Sequence, residues 1–127
     1  MKYLLDTCTA LWSLIEPDKL SPVAKSILKD VKIPICISVV SAWEVAIKTS
    51  RGKLNFDGGS QRFLHELAAD GIIVLDLKGR HVKHIETLPF IHRDPFDRMI
   101  IATALSYGMT ILTADENIVE YDVPCLW

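Results

Sequence analysis

The sequence predicts an α/β fold, a three-layer α/β/α sandwich with a mostly parallel central sheet. Short apolar segments alternate with segments of helical periodicity along the 127 residues. The apolar segments lack the polar alternation of a sheet with one wet face, so helices are expected to cover both faces. Half of the residues are hydrophobic, which suits one core. We therefore expect residues 1–127 to form a single domain.

The chain opens with a predicted strand, helix and second helix. KYLL at residues 2–5 is a short apolar segment, and CTALWSLI at residues 8–15 has helical periodicity. Ser21 followed by Pro22 is typical of an N-cap and a first helical position, which predicts a helix to about Val31.

The next strand and helix meet within a continuous apolar stretch. ICISVV at residues 35–40 predicts a buried strand, and the following helix is predicted to begin at Ser41. Ser41 and Glu44 have the spacing of a capping box, and Gly52 is a stop signal. On this interpretation Glu44 is partly a capping residue.

The remaining elements follow the same alternation. Helices are predicted at residues 61–69, 78–88, 95–107 and 116–120, and strands at residues 72–77, 109–115 and 123–127. Gly71 and Gly108 end the helices before them. Asp94 and Pro95 are typical of an N-cap and a first helical position.

Composition excludes several classes of protein. Fourteen Lys and Arg against sixteen Asp and Glu give a formal net charge of −2, which argues against a coat of positive charge. No apolar run is long enough for a membrane span, and the N-terminus does not have the pattern of a signal peptide. The three cysteines, Cys8, Cys36 and Cys125, fit neither a disulfide framework nor a zinc pattern. We expect a cytoplasmic protein in which they are small buried hydrophobes.

Four acidic residues are predicted to converge at one edge of the sheet. Asp6 and Asp115 end predicted strands, while Glu44 and Asp97 lie on helices next to strands. Ligands of open α/β sheets bind outside the carboxyl ends of the strands. Carboxylates gathered there repel one another, so they need a bound cation or nearby Arg and Lys to stay ionised. Oxygen ligands favour Mg²⁺ or Mn²⁺, and such an ion supports hydrolysis of a phosphodiester.

Four motifs resemble those of the PIN-domain family, in its VapC-type toxin branch. They are LLDT at residues 4–7, SAWEVAIK at 41–48, HRDPFDRMIIATAL at 92–105 and TAD at 113–115. The resemblance covers essentially the whole chain, and the motifs occur in family order. It implies an α/β/α sandwich, metal-dependent endoribonuclease activity against RNA, and a cognate antitoxin that holds the enzyme inactive. Paired dimers are common in the family, so a homodimer is also expected.

The resemblance assigns roles to individual residues. The acidic quartet of the family matches Asp6, Glu44, Asp97 and Asp115. Asp6 and Asp97 are expected to bind Mg²⁺ or Mn²⁺ directly. Glu44 and Asp115 are expected to bind it through water or to orient the attacking water. Cys8 falls where many relatives have His, which leaves the role of that position open.

Supporting roles are expected for a further set of residues. Asp94, Thr7 and Thr113 are predicted to assist the acids, the threonines by hydrogen bonding. The predicted phosphate contacts are Lys48, Arg51, Lys53, Arg93 and Arg98. Arg98 is also expected to moderate the repulsion between carboxylates. His92 is a candidate phosphate contact or general acid, or a loop residue in a hydrogen bond, whereas His65, His81 and His84 are expected at the surface.

Other interpretations of these residues remain open. Asp94 and Asp115 also suit the N-caps of helices, and basic residues on a helix often form a solvated face. The alternative function is a non-catalytic PIN-like module that binds RNA or a protein in the same cleft. A phosphatase or a response-regulator receiver shares the strand-end aspartates, but it leaves Glu44 and the HRDPFDR block without a role.

Overall fold

A computed structural model describes residues 2–127, which contain one five-stranded sheet. The strands are β1 (Tyr3–Leu5), β2 (Ile35–Ser38), β3 (Ile73–Leu75), β4 (Thr110–Leu112) and β5 (Cys125–Leu126). Their order is β3-β2-β1-β4-β5, and every neighbouring pair is parallel. The predicted parallel sheet is confirmed.

Seven α-helices connect the described strands and cover both faces of the sheet. They are α1 (Thr7–Ile15), α2 (Pro22–Lys29), α3 (Val39–Ser50), α4 (Gly59–Ala69), α5 (Gly79–Lys83), α6 (Pro95–Tyr107) and α7 (Glu116–Val119). Two short 3-10 helices lie at Pro17–Lys19 and His84–Glu86. The predicted three-layer α/β/α sandwich is confirmed. No helix within residues 2–127 has the length and apolarity needed to cross a bilayer.

Alternate residues of the central strand pack into opposite helix layers. Leu5 of β1 lies in a core that includes Ala24 and Phe63, residues of α2 and α4. Leu4 lies in a second core with Ile100 of α6, on the other face of the sheet. Both leucines are fully buried. We call α1–α4 the first helix layer and α5–α7 the second helix layer.

The boundary between β2 and α3 differs from the prediction. The strand ends at Ser38, whose hydroxyl accepts a hydrogen bond from the backbone N–H of Val40 and caps α3. The predicted start at Ser41 and its capping box with Glu44 are therefore wrong. Ser41 is a buried residue inside the helix, and Glu44 is released from any capping role.

The sheet topology defines where a ligand site is expected. β1 lies between β2 and β4, so the chain leaves β1 on one side and later returns to the other. Such a reversal opens a crevice at the carboxyl ends of the two strands. Asp6 follows β1 directly, and Thr113 follows β4 directly. The acidic side chains described below lie around this crevice.

Candidate metal centre

Asp6 is held at the end of β1 by two elements. It is the N-cap of α1, and its Oδ1 accepts a hydrogen bond from the backbone N–H of Thr9 at 2.8 Å. Its Oδ2 accepts a hydrogen bond from the hydroxyl of Thr113 at 2.5 Å. The residue is 4% exposed. Burial raises the pKa of Asp6, the nearby charge of Asp115 adds to this, and the hydrogen bonds from Thr113 and Thr9 oppose it.

Glu44 points from the middle of α3 into the same region. Its Oε1 accepts a hydrogen bond from the hydroxyl of Thr7 at 2.6 Å, and Lys48 Nζ lies 2.6 Å from its Oε2. Glu44 is 4% exposed, whereas the Lys48 side chain is 45% exposed. The predicted hydrogen bonds from Thr7 and Thr113 to acidic residues are both present. Lys48 compensates the charge of Glu44, so its ammonium group is already engaged with this carboxylate.

Asp94 and Asp97 occupy the start of α6. Asp94 is the N-cap, and its Oδ1 accepts hydrogen bonds from the backbone N–H groups of Phe96 at 2.8 Å and Asp97 at 3.3 Å. The predicted capping role of Asp94 is confirmed. His92 Nε2 lies 3.2 Å from Asp97 Oδ2.

Asp97 is a partly buried carboxyl group on which the charges of four other carboxylates act. Its side chain is 13% exposed. Burial, followed by the charges of Asp94, Glu44, Asp115 and Asp6, raises the pKa of Asp97 to about 7. The predicted acidic quartet is thus gathered around one carboxyl group, although its members come from four segments of the chain.

Asp115 approaches from the loop after β4. It is the N-cap of α7, and its Oδ1 accepts a hydrogen bond from the backbone N–H of Asn117 at 2.9 Å. Its own backbone N–H donates to the hydroxyl of Thr113 at 3.0 Å. Thr113 therefore links Asp115 to Asp6 through hydrogen bonds. Asp115 both caps α7 and lies beside the cluster.

The donor groups of this region suit a divalent cation. Within residues 2–127, His92, Asp94 and Asp97 form the group whose candidate ligand atoms all lie within 4.8 Å of one another. Of the four predicted metal ligands, Asp97 is a member of this group, and Asp6, Glu44 and Asp115 are not. Carboxylates and an imidazole are ligands of divalent metals, and a bound cation would relieve the repulsion that raises the pKa of Asp97.

Two cavities lie at opposite ends of the sheet. A cleft of about 200 Å³ is lined by Asp6, Cys8, Trp12, Ala114 and Asp115. A larger cavity of about 550 Å³ is lined by residues that include Ile35 and Ile72, at the amino ends of β2 and β3. The smaller cleft is the relevant one, because it opens beside the acidic residues.

Residues 3–124 match the PIN domain family. The match spans nearly the whole chain and includes every acidic residue described above. The chain belongs to the PIN-domain family. No match is found among curated protein sequences.

Solved structures share this PIN fold over almost their full length. VapBC2 from Rickettsia felis bound to a promoter DNA fragment has a TM-score of 0.74 and 15% identity, covering 99% of this chain and 98% of that one. DNA-bound VapBC from Salmonella typhimurium has a TM-score of 0.70 and 18% identity, covering 99% and 97%. A toxin-antitoxin complex from Klebsiella pneumoniae has a TM-score of 0.63 and 17% identity, covering 98% and 96%.

Arg98 of the PIN domain does not occupy the predicted position. It is 4% exposed, and its guanidinium donates hydrogen bonds to the carbonyl oxygens of Pro89 and Leu88 and to the hydroxyl of Tyr121. The prediction that Arg98 contacts phosphate is wrong, because these bonds fix it beneath the loop before α6. Arg51, Lys53 and Arg93 are exposed.

Two other expectations for the PIN domain are wrong. Cys8 is exposed, and it lines the cleft beside Asp6, whereas Cys36 is buried as expected. His81 is fully buried instead of lying at the surface. Its Nδ1 accepts a hydrogen bond from the backbone N–H of Lys78, and its ring lies 5.0 Å from the ring of Tyr107. It is part of the packing of α5 against α6.

The pairing of His92 with Asp97 in this PIN domain was not predicted from the sequence. The available signal was the charge imbalance, since a cluster of carboxylates requires cationic neighbours. The cation predicted to moderate the repulsion between the carboxylates was Arg98. The structure places His92 beside Asp97 and Lys48 beside Glu44.

Proposed function

We propose that the chain is a metal-dependent endoribonuclease and the toxin of a type II toxin–antitoxin pair. Residues 1–127 would act as one nuclease domain that hydrolyses RNA phosphodiester bonds with Mg²⁺ or Mn²⁺. The family supports this activity, and the donor groups support the cofactor.

The observation that carries the proposal is the environment of Asp97. Burial and then the charges of Asp94, Glu44, Asp115 and Asp6 raise the pKa of Asp97, while Lys48 pairs with Glu44 and His92 lies beside Asp97. Glu44 caps no helix, so capping alone does not explain why this buried carboxylate lies in the cluster. Surplus negative charge at the mouth of a crevice is the property expected of a site for a divalent cation.

Each side chain of the cluster has a proposed role. Asp6 and Asp97 would hold the cation, with Asp94 and His92 fixing the start of α6 around it. Glu44 and Asp115 would orient the attacking water, whose oxygen forms the new bond to phosphorus as the bond to the leaving ribose oxygen breaks. A divalent cation held here would supply positive charge that stabilises the charge developing on the phosphate.

The basic residues outside the cluster would position the substrate. Lys48, Arg51, Lys53 and Arg93 are proposed to contact phosphates on either side of the scissile bond. Lys48 would do this while still paired with Glu44, which ties substrate binding to the site. Arg98 is omitted because its guanidinium is buried.

A cleavage assay with matched variants tests the proposal. Purified protein free of antitoxin should cleave RNA with Mg²⁺ or Mn²⁺ and stop when a chelator is added. Asp97→Asn and Asp6→Asn should each remove cleavage and weaken Mn²⁺ binding by more than the roughly 10–100-fold expected for loss of an outer-sphere partner. Asp18→Asn, which removes an exposed carboxylate beside the larger cavity, is the control. Full activity in both site variants would contradict the site assignment.

The alternative is a non-catalytic PIN-like module, and one observation favours it. Asp6, Asp94 and Asp115 all cap helices, so each has a structural role without any metal. Titration calorimetry separates the two functions. A ligand cluster binds Mn²⁺ and loses that binding in Asp97→Asn, whereas a set of caps binds no Mn²⁺ in either protein.

An antitoxin is the proposed protein partner. Similar folds occur in VapBC structures and in a toxin-antitoxin complex. We also propose a homodimer and a cytoplasmic location. Co-expression with the product of the neighbouring open reading frame should give a complex that does not cleave RNA, and free nuclease activity in that complex would contradict the pairing.

A further inference from the structure

One loop carries His92 to the candidate metal centre. Residues 87–93 join the second 3-10 helix to α6 and belong to no helix or strand. His92 lies near the end of this loop, and its Nε2 is 3.2 Å from Asp97 Oδ2. We call residues 87–93 the His92 loop. The position of the imidazole depends on the contacts that hold the backbone of this loop.

The hydroxyl of Tyr121 binds both backbone polar groups of His92. It accepts a hydrogen bond from His92 N–H at 2.9 Å and donates one to the His92 carbonyl oxygen at 3.3 Å. Tyr121 follows α7, the helix that Asp115 caps, and it is a 4% exposed member of the second core. The segment between β4 and β5 therefore supplies both an acidic residue of the site and a buried hydroxyl that fixes the His92 loop.

Arg98 holds the same loop from α6. Its guanidinium donates hydrogen bonds to the Tyr121 hydroxyl at 3.0 Å, to the Pro89 carbonyl oxygen at 2.8 Å and to the Leu88 carbonyl oxygen at 3.3 Å. Arg98 directly follows Asp97 on the helix. One turn of α6 therefore carries both the carboxylate and a group that fixes the loop opposite it. We call Tyr121 and Arg98 the loop clamp.

An aromatic ring of the loop covers the guanidinium of Arg98. The Cζ atom of Arg98 lies 4.3 Å from the centroid of the Phe90 ring. Phe90 is 88% exposed, whereas Arg98 is 4% exposed. The cation stabilises this ring against its face, and the ring keeps water from the hydrogen bonds of the clamp. An exposed aromatic side chain that packs in neither core thus has a role in the loop.

These contacts use the full hydrogen-bonding capacity of the Tyr121 hydroxyl. A hydroxyl has one proton to donate and an oxygen that accepts. The proton goes to the His92 carbonyl, and the oxygen accepts from His92 N–H and from Arg98. Phenylalanine at this position would keep the ring in the core and leave these buried groups without that partner, which is unfavourable. The loop therefore depends on the hydroxyl separately from the ring.

An imidazole held beside Asp97 can orient its carboxylate. Metal-binding carboxylates are themselves hydrogen-bonded, and such partners set the direction in which the oxygens point. Asp97 Oδ2 has His92 Nε2 within 3.2 Å, and Asp97 is a proposed ligand of the cation. A shift of the His92 loop would move the imidazole and release the carboxylate to rotate.

We propose that Tyr121 is a positioning residue of the metal centre. Its hydroxyl, together with Arg98, fixes the His92 loop so that the imidazole stays against Asp97 and orients this carboxylate for the cation. The inference rests on the proposed metal-dependent function. It adds a residue that touches neither the cation nor the substrate and acts through His92.

Three variants and a matched control test the proposal. Tyr121→Phe removes the hydroxyl and keeps the ring, His92→Ala removes the imidazole, and a double variant combines both changes. Tyr107→Phe is the control, because its hydroxyl also accepts from a guanidinium, that of Arg80 at 3.0 Å, but lies at the other end of α6. Titration calorimetry at fixed pH measures Mn²⁺ affinity. Circular dichroism and urea denaturation follow the folding of each variant.

Positioning predicts a pattern of affinities. His92→Ala should weaken Mn²⁺ binding by about 10–100-fold, and Tyr121→Phe by about 3–10-fold, since its imidazole is present but no longer fixed. Tyr107→Phe should bind as the parent does. The double variant should bind like His92→Ala alone, because the hydroxyl then has no imidazole to position. Cleavage by Tyr121→Phe should return to the parental rate when Mn²⁺ is raised to saturation.

A measurement without metal checks the clamp directly. Amide hydrogen exchange of His92, followed by nuclear magnetic resonance with chelator present, should be faster in Tyr121→Phe than in the parent, because the N–H group has lost its acceptor. The same amide should exchange at the parental rate in Tyr107→Phe. Unchanged exchange in Tyr121→Phe would contradict the clamp.

Other results would overturn the inference. Unchanged Mn²⁺ affinity in Tyr121→Phe, in a protein whose parent binds Mn²⁺ and cleaves RNA, would remove the positioning role and leave the nuclease function intact. Equal losses in Tyr121→Phe and Tyr107→Phe would indicate a general loosening of α6. Losses that add in the double variant would show that Tyr121 does not act through His92. A parent protein that neither binds Mn²⁺ nor cleaves RNA would overturn both this inference and the proposed function.

Discussion

In the folded chain, burial and neighbouring negative charge disfavour the ionised form of the Asp97 carboxyl group. Burial and the neighbouring carboxylates raise its pKa to about 7 from its ordinary value of 3.8. A metal ion must displace this proton, so metal binding is expected to depend on pH near neutrality. Apparent Mn²⁺ affinity should be nearly constant above pH 7 and fall by about tenfold per pH unit below it.

Calorimetric titrations from pH 5.5 to 7.5 measure this dependence. Asp18→Asn should follow the same curve as the parent, since its change lies outside the cluster. An affinity that stays constant down to pH 5.5 would show that Asp97 is not a ligand whose proton competes with the metal.

The same pKa makes a prediction about stability without metal. Because the folded pKa of Asp97 lies above the unfolded value, its contribution to stability is fully present below about pH 4 and is lost as pH rises through about 7. Asp97→Asn removes the charge that causes the loss. Its free energy of unfolding at pH 8 should exceed that of the parent by about 0.5–2 kcal/mol. Urea denaturation with chelator present measures the difference.

Two comparisons control this stability prediction. The difference between Asp97→Asn and the parent should shrink as the pH is lowered to 5, since the parent then becomes protonated. Adding Mn²⁺ at pH 8 should stabilise the parent more than the variant, because the ion binds only the folded state. A variant less stable than the parent at every pH would refute the electrostatic explanation.

Some residues of the site could be predicted from sequence, and others depend on tertiary structure. Asp6, Asp94 and Asp115 lie at the boundaries of elements, where local patterns predict them. The contacts of Arg98 and the burial of His81 depend on which residues the second helix layer packs against. No local spacing encodes that information, so sequence reasoning placed Arg98 at the phosphate and His81 in solvent.

At the scale of elements, most predicted helices and strands are confirmed with shifted ends. α6 has the predicted bounds and ends before Gly108, whose φ is +69°. The start of α3 was wrong because Val39 and Val40 are β-branched and read as strand. β2 pairs with β3 only as far as Ser38 opposite Leu75, so the chain has no partner strand to continue with. Sheet length, a property of the tertiary structure, overrides local preference.

The N-cap of α3 can be tested by comparing two serines. Ser38→Ala removes the side chain that accepts from Val40 N–H, and it should lower the free energy of unfolding by about 1 kcal/mol. Ser38→Thr keeps the hydroxyl acceptor and should recover part of this loss. Ser26→Ala, within α2, should change stability by less than about 0.5 kcal/mol. Equal effects of Ser38→Ala and Ser26→Ala in urea denaturation would contradict the cap.

At the scale of the whole molecule, the site depends on both helix layers. Glu44 is carried by the first helix layer and Asp97 by the second, while Asp6 ends the strand between them. The cluster therefore forms only if the two helix layers keep a fixed position relative to each other. Parallel strands buried on both faces provide it, because each strand contributes side chains to both cores.

Adjacent leucines of β1 test whether the two layers unfold together. Leu5 packs in the first core and Leu4 in the second, and both are fully buried. Leu4→Ala and Leu5→Ala should each cost about 2–5 kcal/mol. Trp12 and Trp127 pack against the first core, so on a Trp43→Phe background, which removes the indole that contacts Phe96 of α6, tryptophan fluorescence reports on that layer, whereas far-ultraviolet circular dichroism reports on all helices. If residues 1–127 form one cooperative domain, Leu4→Ala lowers both midpoints equally, although it alters the layer opposite these tryptophans. A fluorescence midpoint that stays at the parental value while the dichroism midpoint falls would show that the layers unfold separately.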